Sequence, residues 1–379
     1  LTDVSIGIDY TPAYEQGGGI GRYVRELTAA LARRDDPLRY RLFIAGARAD
    51  KPLPRFDARF TLHPTPITPS WWARIWQRAR VPLPIEAVIG RVALYHATDF
   101  VLPPTLPATP TILTVHDLSF VRVPEAASPR LKAYLDRVVP RSVRRADHVL
   151  ADSTATKQDL IEIYGTPPEK ITVLLSGVEP TFQPLRSAEA LAAARARYGL
   201  PSRPYIFSVG TVQPRKNYAR LIAALAVLRQ RGHDVDLAIA GGKGWLDDPI
   251  YAAIRAHHVE DHVHFLGFVA DADLPALYSG AVLTALPSLY EGFGIPVLES
   301  MACGTPVLTS SISSLPEVAG DAAVLVDPTD LEAIIDGLER LLLDHELRRQ
   351  LTELGLARAT LFTWDSAANL LLQVYRRWI

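Results

Sequence analysis

Two acidic and two basic residues stand where their spacing could do chemistry. Glu291 and Glu299 are separated by seven residues, and Gly292-Phe293-Gly294-Ile295-Pro296 lies between them. Pro296 suits the first turn of a helix, where a missing N–H costs nothing. Gly304 suits its C′ stop, with Thr305-Pro306 beyond. The segment therefore predicts a loop and then a short helix whose start offers N–H groups and a partial positive charge, which suits a phosphate. Glu299, in the first turns, is placed to accept hydrogen bonds from neutral hydroxyls such as those of ribose. Glu291, with the backbone of Phe293, Gly294 and Ile295, is placed to do the same for a sugar ring. Upstream, Arg215-Lys216 falls between a strand end and a helix start, where two cations could neutralise a diphosphate and stabilise it as a leaving group. An isolated Arg-Lys pair would read as a solvated loop. Gly210, Gly292 and Gly294 are close-approach positions.

Weaker signals accompany these. Gly17, Gly18 and Gly19 follow the first strand and precede the first helix, where glycine lets backbone approach a ligand; the alternative is a flexible turn. They lack the third glycine of a dinucleotide fingerprint, and no Gly-x4-Gly-Lys-Ser/Thr occurs, so a P-loop is excluded. His116-Asp117 follows the apolar run Thr111–Val115, and a strand-end histidine faces a ligand edge, although a lone histidine is more often structural. Asp117 either orients His116 or caps the next segment. Lys243, in Gly-Gly-Lys-Gly-Trp, borders a nucleotide or a surface turn. Tyr278 and Phe268 flank a base or sit in the core. No aspartate pair stands out as a metal site, and Arg215 and Lys216 make a metal unnecessary, so neither metal nor cofactor is expected.

These residues need an alternating α/β frame to position them. Strands are expected at Val4–Asp9, Tyr40–Ala45, Leu94–His96, Thr111–Val115, Val149–Ala151 and Ile171–Leu175, with helices at Ile20–Arg33 and Leu131–Arg145. Pro180 to Pro204 reads as a linker carrying a helical patch, Ala188–Tyr198. The rhythm then repeats. Strands fall at Tyr205–Val209, Val235–Ala240, Val263–Leu266, Ala281–Ala285, Pro306–Thr309 and Ala323–Val326. A helix over Tyr218–Arg231 is capped by Asn217 and stopped by Gly232. Helices Leu331–Asp344, Glu346–Thr360 and amphipathic Trp364–Ile379 close the chain. Two such halves imply two doubly wound sheets with a cleft between them and ligands beyond the C-terminal strand ends.

Composition sets the outer bounds. At 379 residues two domains are comfortable, and 48% hydrophobic residues supply two cores. A net charge of −1 argues against a nucleic-acid binder. Residues 1–180 carry 23 basic against 19 acidic side chains, residues 181–379 carry 17 against 22. That mild asymmetry would suit a first half facing anionic lipid or a phosphate-linked acceptor. Cys303 is the single cysteine, so no internal disulfide forms, which fits a reducing, cytoplasmic compartment. No signal peptide and no apolar run of about 18 residues is seen. Leu1 in place of Met leads us to expect N-terminal trimming. Trp71, Trp72 and Ile75 share a helical face, with Trp76 at its edge and Arg74, Arg78 and Arg80 alongside. Such a helix would rest in a membrane interface, pack into the first domain, or line an acceptor groove.

The Glu-x7-Glu stretch resembles the signature of family-four retaining glycosyltransferases, which have the GT-B fold. Ser208–Asn217, Gly241–Trp245 and Ser313–Ala323 are similar to that family as well, and the likeness spans nearly the whole chain, densest after about residue 200. The nearest subgroup is the mannosyltransferases that use GDP-mannose in O-antigen and exopolysaccharide assembly. The resemblance implies a first, acceptor-side Rossmann-like domain over 1–180, a nucleotide-sugar domain over 181–363, and a C-terminal helix, 364–379, crossing back onto the first. It implies that His116 lies against the donor sugar, its carbonyl near the anomeric carbon, and that the loop at Gly18 and Gly19 touches donor phosphates and acceptor. Transfer would run from a nucleotide-diphospho-sugar to a glycan or polyprenyl-linked acceptor with retention. The leaving phosphate takes the acceptor's proton on the front face; the rival is a glycosyl-enzyme on Glu291. Ser311 departs from an asparagine common in the subgroup. The expected location is cytoplasmic, peripheral on the inner face of the plasma membrane through Trp71, Trp72, Arg74 and Arg78. Alternatives are a UDP-sugar donor, a nucleotide-sugar epimerase, or an inactive nucleotide-sugar-binding protein; a phosphorylase would need a far longer chain and a pyridoxal-phosphate lysine.

Overall fold

The computed structural model describes residues 4–379, so Leu1 and its two neighbours lie outside the described residues. The chain packs as two compact units, one made of residues up to Leu118 with Ala133–Gly177 and Trp364–Ile379, the other of Ser119–Lys132 with Val178–Thr363. Ser119–Lys132, expected within the first domain, thus packs with the second.

The first unit is built on seven strands: β1 (Ser5–Asp9), β2 (Arg39–Ala45), β3 (Phe60–Thr65), β4 (Leu94–Ala97), β5 (Thr111–Val115), β6 (His148–Ala151) and β7 (Ile171–Val173). All are parallel, in the order β3-β2-β1-β4-β5-β6-β7. The central strands read as unbroken apolar runs because helices cover both faces, and all five residues of β5 are buried. β3 lies where the sequence predicts no strand. Pro64 breaks its pattern and its burial is mixed, both marks of a sheet edge, where proline is tolerated. The helix Trp364–Arg376 belongs to this unit's core: Trp364, Leu371, Leu372 and Tyr375 are buried with Ile6, Tyr23 and Leu94.

The second unit holds six parallel strands: β8 (Tyr205–Val209), β9 (Asp236–Ala240), β10 (Val263–Gly267), β11 (Leu283–Leu286), β12 (Val307–Ser310) and β13 (Ala323–Val326), ordered β10-β9-β8-β11-β12-β13. Its core joins Leu221, Ile222, Leu225 and Leu228 of the helix Tyr218–Gln230 to Leu237, Ile239, Leu283 and Leu308 of the sheet. Strand order reverses between β1 and β4 in one sheet and between β8 and β11 in the other. Crevices for ligands open at such reversals, beyond the carboxyl ends of the strands.

Two local expectations need correction. Asn217 is the N-cap of Tyr218–Gln230 by position, but its side chain makes no cap bond. Its backbone is left-handed (φ 61°), and the amide instead donates to the Pro287 and Pro328 carbonyls at 2.9 and 2.7 Å, tying two strand-exit loops to the helix start. Trp72 is not available to a membrane. The helix Pro69–Ala73 widens into a π-turn over Arg74–Arg78. Trp72 is buried beneath it, stacked on Trp76 at 4.3 Å and edge-on to Phe43. Trp71 alone of the three is exposed, with the Arg74 guanidinium over its ring.

Candidate active site

The exits of β8 and β11 bring the cationic and acidic residues together. After β8 the chain passes Gly210 and forms a single 3-10 turn, Pro214–Lys216. Lys216 folds back under Gly210, where a Cβ would lie 2.6 Å from the lysine Cε and where φ is +152°. Only glycine leaves the lysine in place. After β11 the loop 287–294 leads into the helix Ile295–Ala302, with Pro296 in its first turn and Gly304 (φ +73°) just past its end.

Glu291 lies between the two cations. Its Oε2 accepts from Arg215 at 2.7 Å and its Oε1 from Lys216 at 2.7 Å. Burial disfavours the charge, yet the Arg215 guanidinium and Lys216 ammonium outweigh it and hold the carboxyl at about 2. At neutral pH it is therefore an acceptor and counter-ion, and the trio keeps a net positive charge. Arg215 also donates to the Tyr290 carbonyl at 2.7 Å, and its own carbonyl accepts from Leu289 N–H. Gly294 has φ +112°, and a Cβ there would meet Leu315 at 2.8 Å. Phe293 is buried, edge-on to Phe362.

Glu299, expected to meet ribose, is fully buried, and its Oε2 accepts from the Tyr278 hydroxyl at 2.7 Å. Tyr278 is a core residue, edge-on to Phe207, rather than a platform for a base, and it orients this carboxylate. Phe268 is 69% exposed. Lys243 extends into solvent, 3.9 Å from Asp247. Ile295 opens the helix and is half-buried; Gly292 is buried in the loop.

In the first unit, His116 directly follows β5 as a buried side chain. Nε2 lies 2.8 Å from the Thr98 carbonyl and Nδ1 2.8 Å from Asp152 Oδ2. A carbonyl only accepts, so Nε2 carries a proton, and the carboxylate draws a second to Nδ1. Burial opposes this charge, but Asp152, with Asp99 and the Thr98 carbonyl, lifts the imidazole to about 9. Asp152, not Asp117, holds the ring; 36 residues away at the exit of β6, it could be found only through the strand order. The His116 carbonyl accepts from the Thr156 hydroxyl at 3.3 Å. Gly18 caps the helix Gly19–Ala32, and a Cβ on Gly18 or Gly19 would meet nothing within 4 Å. Neither glycine is demanded by the fold. Among the described residues no three His, Cys, Asp or Glu side chains gather as a metal site, and no helix is long and apolar enough to cross a membrane.

Two parallel-sheet Rossmann-like units, with a cationic pair and a carboxylate gathered at a strand-order reversal, place the chain in the two-domain α/β class. Residues 17–182 match Glycosyltransferase Family 4, and residues 192–357 match Glycosyl transferases group 1. The O-antigen chain mannosyltransferase B of Escherichia coli is 33% identical over 284 residues, 75% of this chain and 74% of that protein. A D-inositol 3-phosphate glycosyltransferase of Salinispora arenicola is 37% identical over 285 residues, 70% of this chain and 63% of that longer protein. HepE of Anabaena, solved with UDP and glucose, superposes with a TM-score of 0.73 at 19% identity over 98% of this chain and 99% of that one. The chain belongs to the family-four glycosyltransferases of the GT-B fold.

Proposed function

We propose that this glycosyltransferase moves a hexose, mannose from GDP-mannose, to a hydroxyl of a glycan or lipid-linked acceptor in cell-surface polysaccharide assembly, with retention at the anomeric carbon. The observation that carries the reading is the Glu291 carboxylate bridging Arg215 and Lys216 at 2.7 Å each. A diphosphate presents the same kind of oxygens to the same cations and would displace the carboxylate from part of its hold. Arg215 and Lys216 then neutralise the leaving diphosphate, with the N–H groups at the start of Ile295–Ala302 beside it. Glu291, ionised, turns to the sugar hydroxyls, and the ribose role of Glu299 requires its carboxylate, fully buried against Tyr278, to be uncovered as the donor binds. The departing phosphate takes the acceptor proton. Neither metal nor cofactor enters the scheme. His116 acts from the acceptor-side unit as a fixed cation at a strand exit, and the open loop at Gly18 and Gly19 leaves room for ligand. The mannose choice leans on the Escherichia coli relative. A UDP-sugar is the second reading, favoured by the UDP and glucose bound in the Anabaena neighbour. For the lipid contact, Trp71 and Arg74 remain as the exposed pair, with Arg78 beside them.

The test is a thermal-shift screen with GDP, UDP, ADP and dTDP, then transfer from the preferred donor with NMR assignment of the product anomer. A shift with GDP and an α-linked product from an α-linked donor support the proposal. An inverted product, a trapped adduct on Glu291, or epimerisation of the donor sugar without acceptor each overturn it.

A further inference from the structure

The loop that carries Glu291 is held from a neighbouring strand exit. The Glu291 N–H donates to Ser313 Oγ at 3.0 Å. Ser314 Oγ lies 2.9 Å from the Glu291 carbonyl and 2.7 Å from the Phe293 carbonyl, directing its one proton between them. Leu315, next in sequence, fills the space a side chain at 294 would need. Ser314 is wholly buried, whereas Ser313 is half-buried and sits at φ 56°, a left-handed conformation that few side chains adopt and that suits asparagine or glycine. A serine kept there while its hydroxyl receives the N–H of the central carboxylate residue is a sign that the bond matters. One strand exit nearer the sheet, Ser310 Oγ donates to the Ser288 carbonyl at 2.6 Å, so the same neighbour also grips the start of the loop.

The geometry points to Ser313 and Ser314 as positioning residues of the donor site: they fix the peptide of Glu291, and so the aim of its carboxylate between Arg215 and Lys216, and keep the Phe293 carbonyl turned away from the diphosphate. This rests on the donor-site reading above. Neither serine touches donor in this account; both act through the loop, as a supporting shell does for groups that must be aimed to within a fraction of an ångström.

Three substitutions at 313 separate aim from backbone strain. Ser313→Gly keeps the left-handed backbone but has no acceptor. Ser313→Asn keeps both, and Ser313→Ala keeps neither. The donor KM and the thermal shift with GDP and with UDP are measured on each, beside the unliganded Tm and the acceptor KM. The expected result is a five- to tenfold rise in donor KM for Ser313→Gly, about the effect of one hydrogen bond. Ser313→Asn should return to within about twofold, with the acceptor KM unchanged throughout. Ser314→Ala should lose at least as much donor affinity as Ser313→Gly. Lys216→Ala is the control for the site itself. If it loses the nucleotide shift while Ser313→Gly and Ser314→Ala behave as the parent, the serines have no positioning role. A Ser313→Gly equal to the parent beside a weakened Ser313→Asn also overturns the inference, since only backbone conformation would then matter. If Lys216→Ala keeps the full shift, the donor-site reading itself fails.

Discussion

Lys216 carries the largest single expectation. Replacing it by alanine removes a cation from the diphosphate's place and leaves Glu291 with Arg215 alone, so kcat at saturating donor should fall by at least ~10²-fold. Unchanged turnover would remove the residue from the mechanism. The glycines divide into two kinds. Gly210→Ala drives a Cβ into Lys216 at a backbone angle that L residues rarely adopt, so it should cost about 1–3 kcal/mol of stability along with activity. Gly18→Ala meets open space and should leave Tm in place, so any loss of activity would report a ligand at that loop. The His116–Asp152 pair predicts a pH dependence. The imidazole stands near 9 in the folded unit against an ordinary 6.5, so its contribution is complete below about pH 6.5 and drains away as pH rises toward 9. The unfolding free energy from urea titrations should fall through that window by on the order of 3 kcal/mol. Asp152→Asn should flatten the slope; an equally steep slope in that variant would show that another group titrates.

At the scale of elements, the strand exits were legible because buried parallel strands announce themselves as apolar runs and their loops begin with glycine or a charged residue. Arg215, Lys216 and Glu291 could be named for that reason. What brought them together was strand order, which no local pattern encodes. Asp152, Ser313 and Ser314 stayed hidden because each meets its partner across neighbouring loops far apart in the chain. For Tyr278 the sequence leaves base contact and core open, because an aromatic beside a helix looks the same either way; its burial and its hydroxyl bond to Glu299 decide for the core. The tryptophan segment shows the same limit. Helical spacing put Trp71 and Trp72 on one face, but the turn is short and widens at Arg74, so one ring goes inside and the other stays out. Trp72→Ala should therefore destabilise by about 3–5 kcal/mol, as core aromatics do. Trp71→Ala should stay within about 0.5 kcal/mol yet weaken binding to anionic vesicles; vesicle binding equal to the parent's would dismiss the lipid contact.

Across the whole molecule, the first unit is stitched from three stretches of chain, and the last of them is the helix Trp364–Arg376. Besides its apolar face, that helix sends the Tyr375 hydroxyl to His96 Nδ1 at 2.8 Å, and Asp365 pairs with Arg33 and Arg34. Deleting residues 364–379 should abolish protection of β1 and β4 in hydrogen exchange while β8 and β11 keep theirs, because the helix is part of the first unit's core and contributes no residue to the second unit's hydrophobic core cluster. Equal protection of both sheets would contradict this division.

The same stitching sets an order on the ribosome. The second unit has all its pieces once residue 363 has emerged, whereas the first, whose opening strand is made early, keeps its hydrophobic interior unsealed until the helix Trp364–Arg376 follows. What is started early is completed late, and a nascent chain stalled or nicked before that helix would strand the older unit in a sticky state.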